Sequence, residues 1–128
     1  MKRVLIALLL AASLMPITAA TATPDCTDTG TSSADDMNGT DHHDVLCALG
    51  GGDYAHGRGG ADRVRGGSGD DTLVGGEGAD ILTGGGGDDD LFAVDESTAD
   101  TLVGGRGRDR CYGDVGDSFD SCEHIVRV

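Results

Sequence analysis

Apolar side chains recur every nine residues through the middle of the chain. They occupy the same place in seven consecutive units: Met37, Leu46, Ala55, Val64, Leu73, Leu82 and Leu91. A triplet such as Thr72-Leu73-Val74 is typical of a short strand whose middle side chain is buried and whose neighbours point outward. Six residues of Gly-rich turn precede each triplet, so the pattern predicts half a coil per unit and a solenoid with two units in each full turn.

An aspartate column has the same period and lies two residues before the apolar one. Its members are Asp35, Asp44, Asp53, Asp62, Asp71, Asp80 and Asp89. After Leu91 the phase slips, and an insertion of two residues within 93–103 returns Asp100 and Leu102 to their columns. Residues 104–112 then form a ninth unit. In the tail that follows we expect Ser118 and Asp120 at the aspartate and apolar places, and we interpret this tail as a terminal cap.

The composition indicates what kind of partner the chain has. Its 128 residues include 23 Gly and 23 acidic residues against 9 Lys and Arg, with a net charge of −14 and only 3% aromatic residues. So few large side chains cannot fill an ordinary core, and another source of stability is needed. The acidity argues against nucleic acid as a partner, because phosphate binding needs clustered basic residues. A cation is the expected partner.

The amino terminus has the pattern of a secretory signal peptide. A basic start is followed by an apolar run at 4–15 and by small residues, with cleavage expected after Ala20 or Ala22. The apolar run is too short for a membrane anchor, so we expect a secreted, extracellular protein with no membrane span once the signal is removed. The predicted organisation is a signal peptide at 1–22, a lead-in at 23–29, the repeat array at 30–112 and a C-terminal cap at 113–128.

The residue types within a unit favour calcium. Gly at the first, second and fourth places permits positive φ and lets carbonyl oxygens crowd together, and Asp at the sixth place adds a carboxylate. Hard oxygen ligands suit Ca²⁺. Units 66–74, 75–83, 84–92 and 104–112 resemble the G-G-x-G-x-D-x-U-x nonapeptide of the repeats-in-toxin, or hemolysin-type, calcium-binding proteins. The resemblance implies an all-β fold, a right-handed parallel β-roll of about nine repeats, with ions between stacked loops.

The resemblance also implies a set of calcium ligands. Its carboxylates are Asp44, Asp53, Asp62, Asp71, Asp80, Asp89 and Asp109. Its glycines are Gly66, Gly67, Gly69, Gly75, Gly76, Gly78, Gly84, Gly85, Gly87, Gly104, Gly105 and Gly107. Repeats two apart stack, so the aspartates should form two ladders. Several units depart from the pattern, at 30–33, 39–43, 48–49 and 95–99, and we therefore expect about three to five strong Ca²⁺ sites.

The most complete sites are expected in three places along the two ladders. They lie between Asp62 and Asp80, between Asp71 and Asp89, and between Asp89 and Asp109. In each of these places glycine-rich turns are expected on both sides of the ion.

Four cysteines allow three disulfide pairings. In the implied roll, Cys26 and Cys47 belong to the first coils and Cys111 and Cys122 to the last. Coils about 4.8 Å apart separate the two groups by roughly 15 Å, whereas a disulfide needs Cα atoms within about 7 Å. We therefore expect Cys26–Cys47 and Cys111–Cys122. A zinc site made of Cys47, His42, His43 and His56 is an alternative that lacks a recognised ligand spacing.

The expected function is that of a secreted calcium-binding β-roll, not an enzyme, that folds as it binds several ions. A second hypothesis is a calcium-dependent extracellular or cell-surface interaction module with a protein or cell-wall partner. Disorder is expected without calcium, but the apolar column argues against it in the loaded state. The sequence Gly116-Asp117-Ser118-Phe119 with His124 echoes a hydrolase motif, yet only ten residues follow Ser118. A regular surface that orders water would need uniform outward residues, which are absent from the sequence.

Overall fold

The chain winds between two parallel β-sheets. This computed structural model describes residues 25–96 and 98–128. One sheet contains, in spatial order, β1 (Asp28–Thr29), β3 (Val45–Gly50), β5 (Arg63–Ser68), β7 (Ile81–Gly86), β9 (Thr101–Arg106) and β11 (Ser118–Asp120). The other contains β2 (Asp36–Asn38), β4 (Tyr54–Gly59), β6 (Thr72–Glu77), β8 (Asp90–Ala93), β10 (Arg110–Gly113) and β12 (His124–Arg127). Successive strands alternate between the sheets, so the twelve strands of the described residues make about six coils, and the predicted parallel β-solenoid is confirmed. The expected count of about nine repeats was too low, because β1 precedes the first unit and β11 and β12 follow the last.

The register of the sheets follows the nine-residue period. Val64 pairs with Leu46 on one side and Leu82 on the other, each 18 residues away. Across the predicted insertion, Leu82 pairs with Leu102, which is 20 residues away. The two extra residues are therefore accommodated between β8 and β9 without disturbing the pairing, as expected.

The core is a single column of small and medium-sized side chains between the two sheets. The apolar residues of the period are buried: Met37, Leu46, Ala55, Val64, Leu73, Leu82, Leu91, Leu102 and Cys111. Ala48 and Ala93 join them from the first place of their units, and Phe119 packs against the column near its end. Each coil thus contributes about two inward side chains, which leaves the core narrow.

The strands are longer than the sequence indicated. β5 combines the last three residues of one unit with the first three of the next, and the turn that follows has only three residues, 69–71. The expectation of a six-residue turn was wrong because the second and third places of neighbouring coils also pair, as Gly67 does with Gly85 and Ser68 with Gly86. Stacking extends the ladder into the glycines.

Both sheets continue into the C-terminal tail. Phe119 pairs with Leu102 in one sheet, and Ile125 pairs with Cys111 in the other. Asp117 and Phe119, rather than Ser118 and Asp120, therefore occupy the aspartate and apolar columns. The expectation failed because this unit is one residue short. The domain boundary at residue 113 stays a prediction.

Disulfides link residues at both ends of the roll. Cys26 bonds Cys47 with a Cα–Cα distance of 5.9 Å, and Cys111 bonds Cys122 at 6.0 Å, which confirms the expected pairing. The zinc alternative was wrong, because the sulfur of Cys47 is committed to a disulfide. The predicted signal peptide lies outside the described residues. In the part of the chain that the structure describes, we find no helix long and apolar enough to cross a membrane.

The narrow core predicts that alanine substitutions at two adjacent residues of β7 lower the free energy of unfolding by very different amounts. Leu82 is fully buried, whereas Ile81 is 38% exposed. At fixed calcium concentration, Leu82→Ala should lower the free energy of unfolding by about 2–5 kcal/mol, since it leaves a cavity in a column that has few neighbours to fill it. Ile81→Ala should change it by about 0.5 kcal/mol. Equal losses in urea denaturation would contradict a one-column core.

Candidate metal centre

Backbone hydrogen bonds to carboxylates tie each column aspartate to the next coil. The N–H of Asp53 donates to Oδ1 of Asp71 at 2.8 Å, and the N–H of Asp71 donates to Oδ1 of Asp89 at 2.9 Å. One ladder consists of Asp35, Asp53, Asp71, Asp89, Asp109 and Glu123. The other consists of Asp44, Asp62, Asp80, Asp100 and Asp117. The structure thus assembles the two expected ladders.

The nine-residue period does not predict two members of the ladders, Asp117 and Glu123. Asp117 and Glu123 extend the ladders beyond the last complete repeat, at irregular spacings of eight and six residues. An apolar residue follows two positions after each, Phe119 and Ile125 respectively. That offset was the signal that could have identified them.

The second oxygen of most column carboxylates has no protein partner. Seven Oδ2 atoms are buried without a hydrogen bond: those of Asp53, Asp62, Asp71, Asp80, Asp89, Asp100 and Asp109. An unsatisfied buried polar atom is costly, and an ionised carboxylate even more so. Such an oxygen is satisfied by a proton or by a cation.

The first glycine of a unit leaves room for two converging oxygens. A Cβ atom on Gly66 would lie within 3.0 Å of both Asp71 Oδ2 and the carbonyl oxygen of Gly84 in the next coil. The same convergence occurs at Gly57, with Asp62 Oδ2 and the Gly75 carbonyl, and at Gly84, with Asp89 Oδ2 and the Gly104 carbonyl. A side chain in these positions would displace the carboxylate.

The second and fourth glycines stack with positive φ. Gly67 has a φ of 112° and Gly69 one of 117°. A Cβ on Gly85 would collide with the carbonyl oxygen of Gly67, and one on Gly87 with that of Gly69. These two places therefore require glycine for both conformation and close approach. Carbonyl oxygens follow one another along the stack beside the carboxylate ladder.

The two N-terminal ladder carboxylates have a different environment. Thr40 donates to Asp44 Oδ2 from its N–H at 2.7 Å and from its Oγ1 at 2.8 Å. Thr31 donates to Asp35 Oδ2 in the same way, at 2.6 and 2.9 Å. The hydrogen bonds from Thr40 lower the pKa of Asp44. A threonine in the second place thus gives the carboxylate the partners that the central repeats lack.

The insertion changes one turn of the other ladder. Asp95 Oδ2 accepts a hydrogen bond from the N–H of Gly78 at 3.0 Å, and Thr98 Oγ1 donates to the Gly78 carbonyl oxygen at 2.7 Å. Side chains of the insertion therefore cover the turn at Gly78. The corresponding turns of other repeats face another glycine-rich turn.

Burial opposes ionisation of the central ladder. It raises the pKa of Asp80 to about 7 and those of Asp89 and Asp100 to about 6, and the nearby carboxylates add to each rise. It also raises the pKa values of Asp62, Asp71 and Asp109. A cation between the turns would offset both the lost solvation and the repulsion.

The donor set excludes a centre made of side chains alone. In residues 25–96 and 98–128, no three His, Cys, Asp or Glu side chains converge to hold a metal ion. The available oxygens are one carboxylate from each turn and the backbone carbonyls around it. Carbonyl and carboxylate oxygens in a flexible arrangement fit Ca²⁺ better than Mg²⁺ or a transition metal.

The raised pKa values predict that the metal-free protein is more stable in mild acid than at neutral pH. In the folded chain the pKa values of Asp89 and Asp80 are about 6 and about 7, above the ordinary 3.8, so folding takes up protons. Their stabilising contribution is therefore complete below pH 3.8 and is lost as the pH rises through about 6 to about 7. Circular dichroism in chelator should show more β structure at about pH 5 than at about pH 8.

Calcium affinity should change in the opposite direction, because protons and the ion compete for the same oxygens. It should fall as the pH is lowered through the same interval, which a calcium titration at each pH would measure. If the β content of the metal-free protein did not change with pH, the prediction that its folded state contains buried, unpaired carboxyl groups would be contradicted.

Comparison with known proteins supports this geometry. The family model described as the RTX calcium-binding nonapeptide repeat matches the chain in four copies, over residues 56–91 and 94–119. No curated protein and no solved structure matched the chain. The matched residues include the turns around Asp62, Asp71, Asp80, Asp89 and Asp109. The chain therefore belongs to the RTX calcium-binding nonapeptide repeat family.

Proposed function

We propose that this protein is a secreted, non-catalytic β-roll that binds several Ca²⁺ ions between stacked turns and folds as it does so. One observation supports this most directly: seven buried Oδ2 atoms that no hydrogen bond satisfies. They recur in register at glycine-rich turns, so a series of ions could satisfy them all by one kind of contact.

The proposed ligands at one central site illustrate the arrangement. Between turns 66–71 and 84–89, Asp71 supplies a carboxylate oxygen and Gly84 a carbonyl oxygen at the point where Gly66 leaves space. The glycine carbonyls stacked beside them would complete the oxygen shell. Equivalent surroundings at Asp62 and Asp89 make these three sites the strongest candidates. We propose about three to five strong sites in all, these three among them.

Secretion is supported by two features of the chain. The apolar segment within residues 1–22 has the pattern of a signal peptide. Both disulfides would form and persist in an oxidising compartment. Extracellular fluid is also where calcium is abundant enough for sites of moderate affinity to fill.

The proposal of a non-catalytic role is supported by the placement of the hydrolase-like residues. Ser118 begins β11 in one sheet, whereas His124 begins β12 in the other. Asp117, between Gly116 and Ser118, is part of the carboxylate ladder and hydrogen-bonds the N–H of Asp100. This placement gives no support to the nucleophile-and-base arrangement that the motif would require.

Coupled folding predicts a large response to calcium. The core is narrow, the chain is rich in glycine, and the ladder carboxylates repel one another until an ion separates them. Circular dichroism should therefore show mostly coil in chelator near neutral pH and β structure in millimolar Ca²⁺, with a cooperative transition. An equal concentration of Mg²⁺ should have little effect, because Mg²⁺ retains its water and prefers a tight octahedron. A protein equally folded in chelator would refute coupled folding.

The different surroundings of Asp71 and Asp44 predict which carboxylates contribute most to calcium binding. Asp71 Oδ2 has no protein partner, whereas Asp44 Oδ2 accepts two hydrogen bonds from Thr40. Asp71→Asn should remove one bound ion and weaken binding at the neighbouring site, as measured by calorimetry. Asp44→Asn, which removes the same charge at the same place in its repeat, should cost less calcium binding. Equal losses would show that the threonine contacts do not replace an ion.

A further inference from the structure

One ladder ends on residues that belong to no repeat. The N–H of Asp109 donates to Oε2 of Glu123 at 2.8 Å, although Glu123 follows it by only 14 residues. The usual glycine-rich turn is missing here, and residues 121–123 cross the end of the ladder in its place. Glu123 thus occupies the position that an aspartate of the next coil would have.

The oxygens at this end reproduce those of the central turns. A Cβ on Gly104 would lie within 3.0 Å of both Asp109 Oδ2 and the carbonyl oxygen of Ser121. At Gly66 and Gly84 the corresponding pair is an aspartate Oδ2 and the first glycine carbonyl of the next coil. Asp109 is fully buried and its Oδ2 has no hydrogen-bond partner. The unsatisfied oxygen therefore faces a carbonyl, as it does in the repeats.

The end of the other ladder is closed by the protein itself. There Asp117 Oδ1 accepts the N–H of Asp100 at 2.9 Å, and Oδ2 accepts the N–H of Asp114 at 2.5 Å. Glu123 differs, because within the described residues no hydrogen bond reaches its Oε1. Glu123 is exposed, and it hydrogen-bonds the backbone of Asp109, whose own Oδ2 is buried and unsatisfied.

We propose that Asp109, Glu123 and the Ser121 carbonyl form a terminal calcium site outside the repeat pattern. The inference rests on the calcium binding proposed above and adds a ligand set that the nonapeptide does not contain. Cys122 lies between the two new ligands, and its disulfide to Cys111 fixes the segment over the end of the roll. The terminal site should therefore depend on the disulfide, unlike the central sites.

The charges around the site indicate its strength. It opens into a cleft of about 620 Å³ whose lining includes Asp88, Arg108 and Arg110. Arg110 is engaged by Asp90, with Nε 2.5 Å from Oδ1, but Arg108 adds a positive charge to the cleft. Because of that charge and of its opening to solvent, the terminal site should fill at higher calcium concentration than the central sites.

The test is an ion count on the disulfide-bonded protein. Native mass spectrometry at several free calcium concentrations would compare the unsubstituted protein with Glu123→Gln and with Glu77→Gln. Glu77 is an exposed glutamate at the end of β6, in the middle of the roll, so its variant removes an equal charge away from the site. Glu123→Gln should bind one ion fewer at saturating calcium, with unchanged circular dichroism, and Glu77→Gln should bind the full number.

Reduction of the unsubstituted protein gives a second measurement that needs no substitution. It should also release one ion. Opening Cys26–Cys47 should release none, because threonines already satisfy Asp35 and Asp44 at that end. Equal ion counts in the unsubstituted protein and Glu123→Gln, or an unchanged count after reduction, would overturn the terminal site alone. An unsubstituted protein that binds no calcium would overturn the proposed function as well.

Discussion

The buried aspartate carboxylate is the constraint on which the rest of this structure depends. Its Oδ1 accepts the N–H of the aspartate one coil away and so holds successive turns in register. Its Oδ2 is then buried with no donor in reach. A column of about two apolar side chains per coil provides little stabilisation against a stack of such groups. The fold is therefore compatible with an ionised ladder only where a cation supplies the missing partner.

The glycine content follows from the same constraint. At Gly66 a side chain would displace Asp71 Oδ2, and at Gly85 it would collide with a stacked carbonyl in a backbone conformation of positive φ. The irregular units show what happens when glycine is absent. Leu49 and Arg58 take the second place with φ of 77° and 81°, which is strained for such residues. Both residues are held by pairing with the next coil, Leu49 with Gly67 and Arg58 with Gly76.

Much of the fold could be predicted because the nine-residue period of the sequence and the burial of the apolar residues both follow from the stacking of coils. One column of aspartates and one of apolar residues determine the two sheets, the stacking of alternate repeats and hence the disulfide pairing. Strand length could not be predicted, because the pairing of Ser68 with Gly86 depends on contacts between coils and not on residue type. The tail departs from the period for a related reason. Its turns are shorter, yet both sheets continue, so Asp117 and Glu123 keep their places in the ladders at irregular spacing.

At most ends of the ladders the carboxylates are satisfied by hydrogen bonds, so the carboxylates that lack a partner lie mainly in the interior of the array. At the N-terminal end, hydroxyl and amide groups of Thr31 and Thr40 satisfy the carboxylates, and the Asp114 N–H does so for Asp117. An end coil has a neighbour on one side only, so it cannot assemble the full set of oxygens that two complete turns provide. Hydrogen bonds from the protein close such an end without calcium. The exception at Asp109 retains the unsatisfied oxygen, and there a disulfide-anchored glutamate takes the place of the missing turn.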